Sequence, residues 1–131
     1  MNQIFRSYEK TLIKSGLVGP EPPLLGCLDA QLEWNRTDRK RVALEDIFKQ
    51  LNINALIFSQ PAEPYRSIID YLAETSNGTI TPNDCETRTF LHDLPVSFQF
   101  SSNSVASILK ARKSVIIPGH GIITHGTVGL E

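Results

Sequence analysis

The stretch Ile108-Leu-Lys-Ala-Arg-Lys-Ser-Val-Ile-Ile-Pro-Gly-His-Gly-Ile-Ile-Thr-His-Gly126 decides the fold. Val115, Ile116 and Ile117 form a β-branched run, Pro118 and Gly119 stop it, and Gly121 lets the chain turn back into Ile122 and Ile123. Two strands joined by a tight bend are predicted, with His120 presented at the bend between two glycines. One imidazole cannot make a metal site, so the meaning of His120 rests on the partners that the rest of the chain supplies.

Working outward, Ser102 or Asn103 caps a short helix carrying Val105, Ile108 and Leu109 immediately before this stretch. Val96, Phe98 and Phe100 alternate with Ser97 and Gln99, the period of a half-buried strand. Residues 79–95 are irregular, and Asn77-Gly78 closes the unit that precedes them. That unit is a strand, Ala55-Leu-Ile-Phe-Ser59, followed directly by a helix in which Pro64 occupies the first turn and Ile68, Ile69 and Leu72 are buried. Before it, Thr37 or Asp38 caps a helix running to about Leu51, with Leu44, Ile47, Phe48 and Leu51 on one stripe. Gly19 to Trp34, with Pro20, Pro22 and Pro23, reads as an ordered connector anchored by Trp34. Ile4, Phe5, Tyr8, Leu12 and Ile13 form the apolar face of an opening amphipathic helix that Gly16 ends. Helices and strands alternate in the second half, so an α/β layered domain is expected.

Length and composition bound the function. The 131 residues suit one domain, and 40% hydrophobic and 21% charged residues are ordinary for a globular protein. With 13 basic and 14 acidic residues, no large nucleic-acid surface is expected. The one basic concentration, Arg36, Arg39, Lys40 and Arg41, has Asp38, Glu45 and Asp46 beside it and reads as a solvated helix face. Cys27 and Cys85 show no metal-binding spacing, and no apolar run approaches the roughly 18 residues of a membrane span. A reduced, cytoplasmic protein without membrane partners is the expectation.

Two blocks read together resemble the class II aldolase/adducin domain family, which includes sugar-phosphate aldolases and a ribulose-phosphate epimerase. Asn54-Ala-Leu-Ile-Phe-Ser-Gln-Pro61 is similar to the family strand N-A-V-V-H-x-H-P. Ala106 to Gly126 is similar to the family's helix, strand and H-G turn, and Thr127 to Glu131 to the start of its G-x-x-x-E pattern. The resemblance implies a layered α/β/α domain over residues 1–131 with a central β-sheet, shortened at the N-terminal hairpin and at the C-terminal helix. It also implies a divalent metal, usually zinc, held by two histidines on the first strand and one on the second. Alternation places the two residues of H-x-H on one face, where a third imidazole completes a set with positions open for substrate oxygens. Such a metal acts as a Lewis acid on a hydroxy-carbonyl substrate, and a nearby carboxylate moves the proton.

This sequence departs from the pattern at those positions. Phe58 and Gln60 stand where the first two histidines are expected, and only His120 matches the third. Phenylalanine has no donor atom and glutamine offers a neutral carbonyl, so zinc is not expected at the standard site. Asp38 is the nearest carboxylate to the position of the family's acid/base glutamate, although helix capping is its competing role. The phosphate-binding G-N-x-S segment has no counterpart in residues 16–36. His125 and His92 are the remaining imidazoles that could join a rebuilt metal site, together with Glu63, Asp84, Glu86 and Asp93. Gln60, Tyr65 and Arg66 follow the strand where a pocket would lie, and Tyr65 and Arg66 could recognise an anion; Glu63 and Arg66 could equally be one exposed helix pair.

The preferred expectation is therefore a class II aldolase/adducin-like protein with a degenerate metal site, serving as a binding or assembly module for a small polar or phosphorylated ligand. The alternative is a metal-dependent aldolase or epimerase on a small hydroxy-carbonyl compound or sugar phosphate. The chain stops where the family has a further helix, and the sheet surface thus left uncovered predicts a homo-oligomer.

Overall fold

The computed structural model describes residues 2–28, 31–80, 94–127 and 130. Four helices, α1 (Asn2–Lys14), α2 (Arg41–Gln50), α3 (Tyr65–Glu74) and α4 (Ser102–Leu109), surround strands β1 (Leu24–Leu28), β2 (Leu32–Trp34), β3 (Ala55–Ser59), β4 (Thr79–Ile80), β5 (Leu94–Pro95), β6 (Ser114–Ile117) and β7 (Gly121–Gly126) among these residues. Five strands form one sheet in the order β2-β1-β3-β7-β6, antiparallel at every pairing, and β4 and β5 form a separate small pair. The two blocks that carried the sequence resemblance thus lie in one sheet, with β7 between β3 and β6.

Alternation along the central strands builds the layers. Leu56 and Phe58 of β3, Val115 and Ile117 of β6 and Ile123 of β7 turn to one face, where they meet Leu44, Ile47 and Phe48 of α2 and Val105, Ala106 and Leu109 of α4. The opposite face of β1 and β3, with Leu25, Cys27, Ala55 and Ile57, packs on Phe5, Tyr8 and Leu12 of α1 and on Leu130. Further along that face Ile116 and Ile122 meet Ile69 and Ala73 of α3. The result is the expected α/β/α sandwich.

Three readings of the sequence change. The expected connector between Gly19 and Trp34 contains β1 and β2, an antiparallel pair that extends the sheet. Its proline run ends at Pro23, after which Leu24 to Cys27 pair with β3. Trp34 does anchor this region: its ring covers Gly26, where a Cβ would lie 2.8 Å from the indole, and its Nε1 donates to Glu45 at 3.0 Å. Asn35 then latches the start of β1, accepting from Leu25 N–H and donating to Pro23 O, each at 2.9 Å.

The strand expected at 96–100 does not form. Val96 makes one parallel bridge to Ile116 and Ser97 N–H donates to Ile116 O at 2.9 Å, but the Ser97 hydroxyl then closes on Gln99 O at 2.8 Å. That local turn takes the chain off the sheet edge, leaving Phe98 58% exposed while Phe100 packs against the core. Helix α3, finally, packs Ile69 against the sheet but leaves Ile68 and Leu72, which were expected to be buried, on its exposed side.

Leu56 is fully buried at the centre of the sheet. Leu56→Ala should lower stability by about 3 kcal/mol, read as a reduced urea midpoint at unchanged denaturant slope.

Candidate functional site

The site suggested by the sequence lies where β3 ends and β7 begins. Gly119 and Gly121 adopt φ of +77° and +152°, backbone conformations that side chains disfavour, and they swing His120 out of the sheet. A Cβ on Gly121 would lie 2.5 Å from the Ser59 carbonyl oxygen and 3.1 Å from the Phe58 ring, so the absence of a side chain lets β7 enter beside β3. His120 is exposed at this bend and its backbone N–H donates to Ile117 O at 2.9 Å.

Helix α3 holds the bend from outside. Arg66 Nη2 donates to Gly119 O at 3.4 Å, and Asp70 Oδ1 accepts Gly119 N–H at 3.3 Å. One helical turn separates Arg66 from Asp70, so both reach the same residue of the bend. Arg66 is thus engaged with the histidine turn, and it is not paired with Glu63, whose carboxylate accepts from Ser67 at 2.6 Å. Asp70 carries no signal in the sequence beyond its four-residue spacing from Arg66.

Around His120 the structure gathers rings. The Phe100 ring meets His120 edge-on at a centroid distance of 5.4 Å and lies 5.9 Å from Phe58. Phe58 is buried, and the Lys40 ammonium sits over its face, 5.4 Å from the centroid. Lys40, Phe58, Phe100 and His120 therefore form one continuous row. Phe100 and Lys40 were not singled out for the site by sequence: one was assigned to a strand and the other to a solvated helix face.

That helix face does not exist as such, because α2 begins only at Arg41. Arg36 pairs with Glu9 of α1, and Arg41 Nε donates to Glu45 at 2.9 Å. Lys40 turns inward over Phe58, and Arg39 stays exposed. Asp38 accepts Lys40 N–H at 2.9 Å, a local turn just before α2, and lines an open cleft with Glu21, Pro22, Arg36, Arg39 and Lys40.

The other sequence candidates are dispersed. Gln60 uses its backbone carbonyl to accept Gly19 N–H at 2.6 Å, and Tyr65 is 47% exposed on α3. His125 lies on β7 beneath the end of α4, with Nε2 at 2.8 Å from Leu109 O and 2.9 Å from Arg112 O. Carbonyl oxygens only accept, so Nε2 carries the proton and its lone pair is unavailable to a metal. Nδ1 is buried without a hydrogen-bond partner. His92, Asp84, Cys85, Glu86 and Asp93 lie outside the described residues. Among the described residues no group of three or more His, Cys, Asp or Glu side chains comes together. With Phe58 lacking a donor atom and Gln60 offering a neutral amide, the donors present at the β3–β7 position do not fit a zinc ion.

Cys27 is buried on β1, and burial, followed by the Glu33 carboxylate, pushes its thiol pKa up. It is a protonated, apolar packing group.

No protein-family model and no curated protein matches the sequence. Solved structures do match in fold. L-fuculose-1-phosphate aldolase from Thermus thermophilus superposes with a TM-score of 0.76 at 15% identity, covering 96% of this chain and 79% of that one. YgbL from Klebsiella pneumoniae, a proposed aldolase/epimerase/decarboxylase, gives 0.69 at 13% identity, covering 97% and 80%. A further L-fuculose 1-phosphate aldolase gives 0.67 at 15% identity, covering 96% and 74%. The chain therefore shares the fold of these aldolases, in keeping with the resemblance of its sequence, and spans 79% of the length of the first of them.

The turn at His120 should respond unequally to its two supports. Gly121→Ala is expected to cost about 2–4 kcal/mol, because the methyl group meets backbone. Asp70→Ala removes one exposed hydrogen bond and should cost about 1 kcal/mol or less while accelerating hydrogen exchange at the Gly119 amide. Urea denaturation and amide exchange of the two variants check both.

Proposed function

We propose that the chain is a class II aldolase/adducin relative whose cleft serves binding and assembly, in place of metal-dependent carbon–carbon bond chemistry. The observation that carries this reading is the row of Lys40, Phe58, Phe100 and His120. A lyase of this fold needs an open, multiply liganded cation at the end of β3. Here that strand end carries a buried aromatic ring, with an ammonium above it. The solved relatives include two L-fuculose-1-phosphate aldolases, and the small polar or phosphorylated ligand proposed for this chain is of that general kind.

Assembly is supported by α3. Tyr65, Ile68, Tyr71 and Leu72 are 47%, 52%, 66% and 43% exposed, and Phe98 is 58% exposed. Such an apolar helix face favours a homo-oligomer. No helix among the described residues is long and apolar enough to cross a membrane, and the buried free thiol of Cys27 suits a reducing, cytoplasmic setting.

Metal analysis tests the reading. Protein purified without chelator should carry far less than one equivalent of zinc, and His120→Ala should leave that content and the fold unchanged. Installing the histidine pair by Phe58→His with Gln60→His should create a site that takes up close to one zinc per chain. Stoichiometric zinc in the unaltered protein, lost in His120→Ala, would overturn the proposal and favour the aldolase or epimerase alternative.

A further inference from the structure

Asn77 is the one asparagine of the sequence that is followed by glycine, and it stands in the turn that leads from α3 to β4. Its side chain is exposed and makes no hydrogen bond among the described residues. Other asparagines are occupied: Asn35 holds Leu25 N–H and Pro23 O at 2.9 Å, Asn54 donates to Thr127 O at 2.7 Å, and Asn103 accepts from Gln50 at 3.1 Å. Gly78 adopts φ of +105° and has open space where a Cβ would stand, so no neighbouring atom crowds that side of it. The Gly78 N–H lies outside the β4–β5 ladder, and its one hydrogen bond among the described residues, to the Ser76 hydroxyl, is long at 3.3 Å. The Gly78 carbonyl, in contrast, has a structural task. It accepts Val96 N–H at 2.9 Å, and Val96 is also the residue that bridges to Ile116 at the edge of the main sheet.

We propose that Asn77 is a self-modifying site, converted to aspartyl and isoaspartyl forms by the Gly78 backbone. The Gly78 nitrogen, on losing its proton, attacks the carbonyl carbon of the Asn77 side chain. The new N–C bond closes a five-membered succinimide, and the carboxamide nitrogen takes up a proton and departs as ammonia. Water then adds to one of the two ring carbonyls and the C–N bond there breaks. The product is either an aspartyl residue or an isoaspartyl residue whose main chain runs through the side-chain methylene. No oxidant, reductant or enzyme is needed. Glycine permits the attack, because a Cβ at residue 78 would crowd the forming ring. Both products place a carboxylate at the C-terminal end of α3, where the helix dipole is negative, no basic residue occupies the last turn and Glu74 is already exposed. The isoaspartyl form also lengthens the backbone by one carbon directly before Gly78, which displaces the Gly78 carbonyl from Val96 N–H and loosens the β4–β5 pair from the sheet edge. This chemistry is independent of what the cleft binds.

The test incubates the full chain in alkaline and in mildly acidic buffer and follows the tryptic peptide Ser67 to Arg88 by mass spectrometry. Fragmentation separates residue 77 from Asn83 and aspartate from isoaspartate. An amide-to-acid mass gain at residue 77, faster in alkali than in acid and containing isoaspartate, is expected. Asn77→Gln, whose longer side chain cannot close the five-membered ring, should show no gain at residue 77 and, as an exposed polar exchange, should keep the fold. Gly78→Ala should lose most of the gain. Persistence of Asn77 in the folded chain while the excised peptide converts would overturn the proposal. Equal conversion at the two pH values, or in Gly78→Ala that remains folded, would do the same. In the isoaspartyl fraction, hydrogen exchange at the Val96 amide should be about fivefold faster, with the Leu56 amide unchanged. Unaltered exchange at Val96 would overturn the loosening of the β4–β5 pair.

Discussion

Strand β3 carries the structural constraint on which the rest depends. It is hydrogen-bonded on both sides, to β1 and β7, and apolar side chains cover both of its faces. A strand so enclosed cannot slip register by one residue without exchanging its two sets of side chains between cores. Leu56 and Phe58 are thereby committed to the α2–α4 side, and Ala55 and Ile57 to α1. The close entry of β7 at Gly121, against the Ser59 carbonyl and the Phe58 ring, follows from the same register.

Because Phe58 cannot leave its face, the end of β3 is chemically defined. A ring there excludes a donor atom and supplies a surface over which a cation can rest. The His120 bend is then held by two independent devices, the glycines that permit its backbone and the Arg66 and Asp70 side chains that grip the Gly119 backbone. Lys40 lies at the margin of this row, with its ammonium over the Phe58 ring. The α2 side contributes that margin through a short irregular segment, which ends in the local turn made by Asp38.

Much of the fold was legible because it depends on local periodicity. The helices α1, α2, α3 and α4 and the strands β3, β6 and β7 each show their period within a few residues, and the glycine and proline punctuation marks their ends. The resemblance of two blocks to class II aldolases was legible for the same reason, since each block is a contiguous strand or a helix–strand unit. β1 was hidden by the proline run before it, and β2 is only three residues long. Residues 96–100 show a strand period, but a hydroxyl two residues from a carbonyl captured the chain first. The candidate site was only half legible, because Arg66 was visible as a cation but its partner is a backbone carbonyl about fifty residues away in sequence.

The amino-acid sequence by itself determined the four helices, the strands β3, β6 and β7, the histidine bend, and the presence of Phe58 and Gln60 where the resemblance expects histidines, because each is a property of residue identity and near-neighbour spacing. Only the tertiary structure decided that Lys40 lies over Phe58, that Phe100 meets His120, that Asp70 and Arg66 both hold Gly119, and that His125 is spent on the carbonyls of Leu109 and Arg112. Most of these contacts join residues distant in the chain. They exist because the sheet brings strand ends and helix ends to one rim, and no local pattern encodes which side chains meet there.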